Sequence, residues 1–224
     1  MKRIVFILSF TLYLCMTLSA QEIGRATELM QQAQTSLDQK EYAKARYLYL
    51  QAYNAFAEQQ NYAKAVDCGA KATSLYRSGN SYKEAFDLCR SMEQVVATAE
   101  QKSGKSLPSL YYTITKERIQ LYIALKRAPQ AKEYLDKLGN LAGAAQNDSI
   151  SEDLLYTQAG YYYAFGMYQQ GDASFKKLIE KYKEQKNYDK ISKCYKHLIT
   201  IARKENDAAL VGRTYEEYIK WTDT

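Results

Sequence analysis

The stretch EQQNYAKAVDC, residues 58–68, decides the fold of this chain because it returns as EQKNYDKISKC at residues 184–194. The two copies lie 126 residues apart, and in the same register Arg77 matches Arg203. Over the 23 positions that start at residue 58, eight are identical, far more than unrelated segments share. A long segment that recurs at a fixed offset indicates a protein built from structural repeats.

A shorter phrase, tyrosine-x-x-alanine or a softened form of it, marks the repeat unit. Its small residue recurs at intervals of 40, 46, 40 and 40 residues, and the last three intervals together span the same 126 residues. The long interval contains QKSGKSLP, residues 101–108, whose composition is typical of a loop. The small positions are Ala45, Ala85, Ala131, Gly171 and Val211.

The residues four and seven positions after each small residue are mostly bulky or apolar, which places them on one helical face. Two antiparallel helices approach closely only where a side chain is nearly absent, so each small residue is expected at such a contact. Ala, Leu, Lys, Gln and Glu dominate the chain, and all are good helix formers. We therefore predict an all-α fold, a right-handed α-solenoid of about five antiparallel helix pairs with a ~40-residue period. The pairs are expected at residues 24–58, 61–101, 108–146, 151–185 and 187–220.

Local signals place several helix boundaries. Pro129 follows Ala128 as a first-turn proline would. The run SISE, residues 149–152, has the pattern of a capping box and predicts a helix start near residue 151. Gly79-Asn80 and Gly139-Asn140 are predicted to be turns or helix ends.

The small-x-x-x-bulky phrase with a tyrosine upstream resembles the tetratricopeptide repeat (TPR) over residues 24–220. The early tryptophan and the closing proline of that repeat are missing, and its Leu-Gly pair is replaced by pairs such as Gln32-Ala33. The 40-residue unit exceeds the usual 34 residues, so each helix is expected to be nearly a turn longer. The chain is also similar to the exported TPR segments that precede the membrane helix in some Gram-negative sensor histidine kinases.

Residues 1–20 have the three parts of a secretory signal peptide. Lys2 and Arg3 precede an apolar run over residues 4–18, and cleavage is expected after Ala20. The alternative is an uncleaved anchor, although the run is shorter than the roughly 20 apolar residues of a typical membrane span. We predict an exported, periplasmic protein of a Gram-negative envelope, whose mature chain, residues 21–224, is one TPR-like domain without a membrane span.

Composition argues against several function classes. The formal charge of +6 falls to +4 once the leader leaves, and no basic cluster indicates a nucleic-acid partner. His197 is the sole histidine, and the cysteines lack the C-x-x-C spacing of a metal site. We predict no cofactor, no metal and no enzymatic activity, and an enzyme on a helical-repeat scaffold is the less favoured reading. Whether Cys68 and Cys89 pair stays open.

The TPR resemblance implies that the first helix of each pair lines a concave surface. Transferring those positions to this chain gives a tyrosine strip next to a basic strip, which suits an extended peptide or an acidic chain end. The alternative is that these tyrosines fill gaps between helices and the lysines are merely solvated. The predicted groove residues are Arg77, Lys116, Gln120, Tyr156, Tyr163, Lys193, Lys196 and Arg203.

The last predicted helix carries Tyr215, Tyr218, Ile219 and Trp221 where a terminal repeat needs a polar cap. It either folds against the fifth pair or contacts another molecule, for which a homodimer is one arrangement. The favoured function is a non-catalytic periplasmic module that binds a protein or peptide, as the sensory input region of a signalling protein. The alternative is a stand-alone scaffold or assembly factor of the cell envelope.

Overall fold

The structure, a computed structural model, describes residues 24–145, 147–204 and 206–222. The predicted signal peptide, residues 1–20, lies outside the described residues. Within the described part of the chain every regular element is an α-helix, and ten helices follow one another. They are α1 (residues 24–38), α2 (Tyr42–Glu58), α3 (Tyr62–Ser78), α4 (Tyr82–Ser103), α5 (Pro108–Ala124), α6 (Ala128–Ala145), α7 (Asp148–Ala164), α8 (Tyr168–Glu184), α9 (Tyr188–Lys204) and α10 (Ala208–Thr222).

The predicted all-α class of consecutive helix pairs is confirmed, since each of the five predicted pairs corresponds to two of these helices. Helices adjacent in the chain pack against each other, as α2 does on α3 and α7 on α8. Pro129 lies in the first turn of α6, as predicted. The loop expected at residues 101–108 is shorter, because α4 continues to Ser103 and ends at Gly104 with a φ of 66°.

Seven of the connections between helices share one turn geometry. After Tyr182, for example, the N–H of Lys186 donates to the carbonyl of Lys183 and the N–H of Asn187 to that of Tyr182, at 3.0 and 2.9 Å. This pair of bonds is a Schellman motif, which satisfies carbonyls at the helix end and requires one residue with positive φ. A 17-residue helix and a three-residue turn make a 20-residue half-repeat, which explains the 40-residue period. The positive-φ residues are Lys40, Gln60, Asn80, Lys126, Gly166, Lys186 and Asn206.

The Lys186→Gly variant is expected to raise the free energy of unfolding by about 0.5–1 kcal/mol. A lysine at a φ of 52° carries the steric cost of the left-handed region, which glycine avoids. Asn80→Gly is the matched control, and its free energy of unfolding should rise by less, since asparagine tolerates positive φ better than lysine does. Urea unfolding of the unaltered protein and the two variants measures their free energies of unfolding. A Lys186→Gly variant less stable than the unaltered protein would contradict a steric cost at Lys186.

The predicted helix end at Gly139-Asn140 is wrong, because α6 continues through both residues to Ala145. Leu135, Leu138 and Ala142 are all buried on one face of α6, so packing outweighs the low helix propensity of glycine.

The predicted start of the fourth pair is corrected by three residues. α7 begins at Asp148, and the side chain of Asn147 caps it by accepting from the N–H groups of Ser149 and Ile150, at 2.9 and 3.4 Å. Glu152 therefore does not close a capping box, and its carboxylate instead contacts α8 and α9.

The chain divides into two compact units, of which unit 1 ends at Leu121 and unit 2 begins at Tyr122, within α5. In unit 1 the largest buried side chains include Tyr49 and Met92. In unit 2 they include Phe175 and Tyr182, which pack with residues of α9.

The small residues lie at the helix contacts where the sequence places them, since Ala45, Ala85, Ala131 and Gly171 are all buried. At Gly171 a Cβ atom would come within 2.8 Å of Cε2 of Tyr163. The ring packed on this glycine is that of Tyr163.

Candidate functional site

Arg77, Lys116 and Gln120 are half-buried residues of unit 1. The guanidinium of Arg77 donates to Ser74 Oγ at 3.0 Å and to Gln120 Oε1 at 3.4 Å, and lies 4.0 Å from the carboxylate of Glu117. The structure thus brings Arg77 and Gln120 together as a contact between α3 and α5. An arginine held by its own chain in this way is a poor starting point for recognising a ligand.

Tyr163 is a correction to the predicted groove, because its side chain is 1% exposed. Its ring lies against Gly171 and its hydroxyl donates to the Asp172 carboxylate. Burial, and then this bond to Asp172, raise the pKa of the phenol, which therefore stays protonated. Tyr163 joins α7 to α8, and its side chain is closed off from solvent.

Tyr156 is half-buried at the contact between α7 and α9. Its hydroxyl lies 2.9 Å from Cys194 Sγ, and its ring meets those of Phe175 and His197 edge-on at 5.5 and 5.6 Å. His197 is exposed on its outer side, yet burial against these rings lowers the pKa of its imidazole below the ordinary value. The imidazole is therefore neutral at neutral pH.

The solvent face of α9 carries the other predicted residues. Lys193, Lys196 and Arg203 are exposed, with Thr200 between them, at spacings that keep all four on one side of the helix. They extend over about 15 Å at 1.5 Å per residue. We call these four residues the α9 basic face.

The cations of the α9 basic face differ in their partners. Within the described residues, no carboxylate lies at ion-pair distance from the ammonium groups of Lys193 and Lys196. Arg203 donates to the hydroxyl of Tyr215 on α10 at 3.1 Å, which orients its guanidinium without neutralising it. Three positive charges therefore remain uncompensated along one helix.

A polar cluster of Glu152, Lys181, Tyr182 and Lys190 holds α9 in place. The Glu152 carboxylate accepts from the Tyr182 hydroxyl at 2.8 Å and from Lys190 Nζ at 2.9 Å, and lies 3.2 Å from Lys181 Nζ. The cluster links α7, α8 and α9, so Lys190 has an ion-pair partner within the chain. Burial alone would raise the pKa of Glu152, but the hydrogen bonds from Lys190, Tyr182 and Lys181 outweigh it and lower that pKa.

Unit 2 is expected to lose stability through Glu152 as the solution is acidified. Because the folded pKa lies below the unfolded value, the contribution is complete above the unfolded pKa and is lost as the pH falls through the folded pKa. Urea unfolding at pH 7 and pH 3.5, followed by the fluorescence of the single Trp221, measures the loss. The Glu152→Gln control should show a smaller acid-induced loss, and an identical loss in both proteins would contradict this role of Glu152.

A groove of about 740 Å³ runs between α8 and α10, on another side of α9. Tyr195 and Leu198 of α9 lie in it, together with Trp221. One end is tied by the ion pair between Arg213 and Asp172 at 2.8 Å. Its walls carry charges of both signs, so it has no clear charge preference. The charged wall residues are Asp172, Lys176, Glu180, Lys183, Arg213, Glu217 and Lys220.

Sequence inspection missed both the groove and the Glu152 cluster. The groove's charges alternate along α8 and α10 at helical spacing, but so do those of many solvated helices. The lysines that meet Glu152 lie 29 and 38 positions further along the chain, and no local pattern joins residues so far apart.

Cys68, Cys89 and Cys194 are free and buried thiols, which answers the open question of a pair between the first two. Burial raises the pKa of Cys68 to about 11 and that of Cys89 to about 12, so both are unreactive thiols. Among the residues that the structure describes, no three His, Cys, Asp or Glu side chains converge as a metal site would need. No helix in the described ranges is long and apolar enough to cross a membrane.

A comparison with models of known protein families finds none that matches the chain, and a comparison with curated proteins finds no similar one. What the α9 basic face can bind therefore has to be inferred from its own chemistry.

Proposed function

We propose that the protein is a non-catalytic, exported helical-repeat module that binds an acidic peptide, or an acidic segment of another protein, on the α9 basic face. The observation that carries this proposal is the row of uncompensated cations formed by Lys193, Lys196 and Arg203. The chain pairs Lys190 and Lys181 with the Glu152 carboxylate but provides no carboxylate for this row within the described residues. A partner that supplies carboxylates would complete the pairing.

The α9 basic face is favoured over the α8–α10 groove because of charge. The groove carries four cations and three anions and ties Arg213 to Asp172, whereas the α9 basic face presents one sign only. A single-sign surface steers an oppositely charged partner and discriminates against a neutral one.

The spacing of the cations suits an extended ligand. Lys193, Lys196 and Thr200 lie on successive turns of α9, each rising about 5.4 Å. In an extended peptide, alternate side chains on the same side lie about 7 Å apart. A peptide with acidic residues at alternate positions therefore places its carboxylates near successive turns, with the Thr200 hydroxyl available to a backbone group.

The double charge reversal Lys193→Glu with Lys196→Glu is expected to weaken binding of an acidic peptide at least tenfold. Two attractive contacts become repulsive, and the loss should shrink as salt screens them. Fluorescence anisotropy with a labelled peptide of alternating glutamate and serine, at two salt concentrations, measures the affinity.

The control pair is Lys177→Glu with Lys183→Glu, which changes the net charge equally on the exposed side of α8. This control should bind nearly as the unaltered protein does. If both double variants bound the peptide equally weakly, the loss would come from the change in net charge and not from the α9 basic face. If the Lys193 and Lys196 reversal left the affinity unchanged, the peptide would bind at another surface.

Export is the second part of the proposal and rests on the composition of residues 1–20. Sequencing the amino terminus of the protein recovered from a Gram-negative periplasm tests it, with Gln21 as the expected first residue. In that compartment, capture of an acidic envelope polypeptide would suit the sensory input region of a signalling protein, as the resemblance to exported TPR segments implies.

A further inference from the structure

Helix α10 leaves two large apolar side chains in solvent. Tyr215 is 39% exposed and Ile219 is 53% exposed, whereas Tyr218 and Trp221 fold against Tyr195 of α9. Ala208 and Gly212 lie on the same side as Tyr215 and Ile219 at helical spacing. Gly212 meets no neighbouring atom at the place where a Cβ would be. We call Gly212, Tyr215, Glu216 and Ile219 the open face of α10.

Aligning the repeats identifies the residues in the other second helices that occupy the same positions as the open face of α10. The positions equivalent to Tyr215 in the other second helices are Tyr49, Cys89, Leu135 and Phe175, and none of them is more than 3% exposed. Ile219 corresponds to Ile179 and Tyr53, which are 7% and 4% exposed, and to Glu93 and Gly139, which are half-buried. In α8 these positions are covered by the following helix, α9, with which they share one core. Within the described residues no helix covers the open face of α10.

The charges beside the open face are self-complementary. Glu216 and Lys220 lie one turn apart along the same edge of α10, and both are exposed. When two such helices pack antiparallel, like edges meet in reverse order, so a twofold axis near residue 218 sets each Glu216 opposite Lys220 of the other copy.

We propose that the open face of α10 is the contact of a symmetric homodimer, in which α10 of a second copy packs antiparallel on it. The apolar residues Tyr215 and Ile219 form the centre, and two Glu216–Lys220 ion pairs flank it. A twofold contact of this kind is closed, since the same patch is used on both copies. The contact does not involve Lys193 or Lys196, and it adjoins the α9 basic face at Tyr215, whose hydroxyl accepts a hydrogen bond from Arg203.

Sedimentation equilibrium of the purified protein over a range of concentrations tests the dimer. The unaltered protein should dimerise, and Ile219→Glu should weaken the dimer at least tenfold because it places two carboxylates in the apolar centre. Tyr47→Glu is the control, since Tyr47 is 60% exposed in unit 1, and it should dimerise as the unaltered protein does. A protein that is monomeric at every concentration, or a dimer that survives Ile219→Glu, would overturn the proposal.

A charge exchange tests the antiparallel arrangement. Glu216→Lys alone and Lys220→Glu alone should each weaken the dimer several-fold, because like charges then face each other. The double variant with both changes should restore it. Single variants that weaken the dimer without restoration in the double variant would overturn the twofold pairing. Assembly with a different protein in place of a second copy would overturn the choice of occupant.

Discussion

Replacing Gly171 with valine is expected to lower the free energy of unfolding of unit 2 by about 3 kcal/mol. Already the first added carbon would lie 2.8 Å from the Tyr163 ring, closer than two carbon atoms can pack. That ring cannot easily move, because its hydroxyl is bonded to Asp172 and its face contacts Phe175. The branched side chain adds two more methyl groups to the same contact, so α7 and α8 must separate.

The measurement is urea unfolding followed by the fluorescence of Trp221, which lies in unit 2 and packs on Tyr195. Gly160→Ala is the matched control on α7, since nothing lies within 4 Å of its added Cβ. The control should be unchanged or more stable by up to about 1 kcal/mol, the gain in helix propensity. If Gly171→Val unfolded at the same urea concentration as the unaltered protein, the close α7–α8 contact would be refuted.

Replacing Glu93 with alanine is expected to lower the free energy of unfolding of unit 1 by about 2–3 kcal/mol. Glu93 on α4 receives two bonds from the guanidinium of Arg118 on α5, at 2.9 and 2.7 Å. Arg118 is 7% exposed, so its charge would stay buried after this carboxylate is removed. The carboxylate itself is partly exposed, which keeps the expected loss below that of a fully buried pair.

Thermal unfolding followed by far-ultraviolet circular dichroism measures the loss. Glu84→Ala removes an exposed carboxylate from the same helix and should change stability by no more than about 0.5 kcal/mol. If the Glu93→Ala protein were as stable as this control, the ion pair between Glu93 and Arg118 would make no net contribution to the stability of unit 1.

The fold could be predicted closely because its signals are local and repeated. Ala45, Ala85, Ala131 and Gly171 recur at intervals of 40, 46 and 40 residues. A small residue that recurs in this way indicates a place where two helices approach closely. The 40-residue period recurs because seven of the connections between helices share the same Schellman turn. The end predicted at Gly139-Asn140 was wrong for the opposite reason, since a local glycine signal was outweighed by the buried residues on either side.

The candidate site could be predicted only in part. Lys193, Lys196 and Arg203 are exposed together because helical spacing alone decides which residues share a face. Tyr163 is buried because it lies opposite Gly171, and a contact between two helices cannot be read from either helix by itself. The ion pairs of Glu152 and Arg118 likewise depend on residues 25 or more positions away.

Because seven connections share one turn geometry, the repeat units are joined to their neighbours in the same way. In unit 1 the backbone at Lys40 has nearly the same φ as at Asn80, 63° and 58°, and both are followed by the same pair of hydrogen bonds. A duplication or deletion of forty residues between two such joints leaves the connecting geometry intact. Lengthening or shortening this array during evolution therefore requires no new connector, only neighbouring faces that still match.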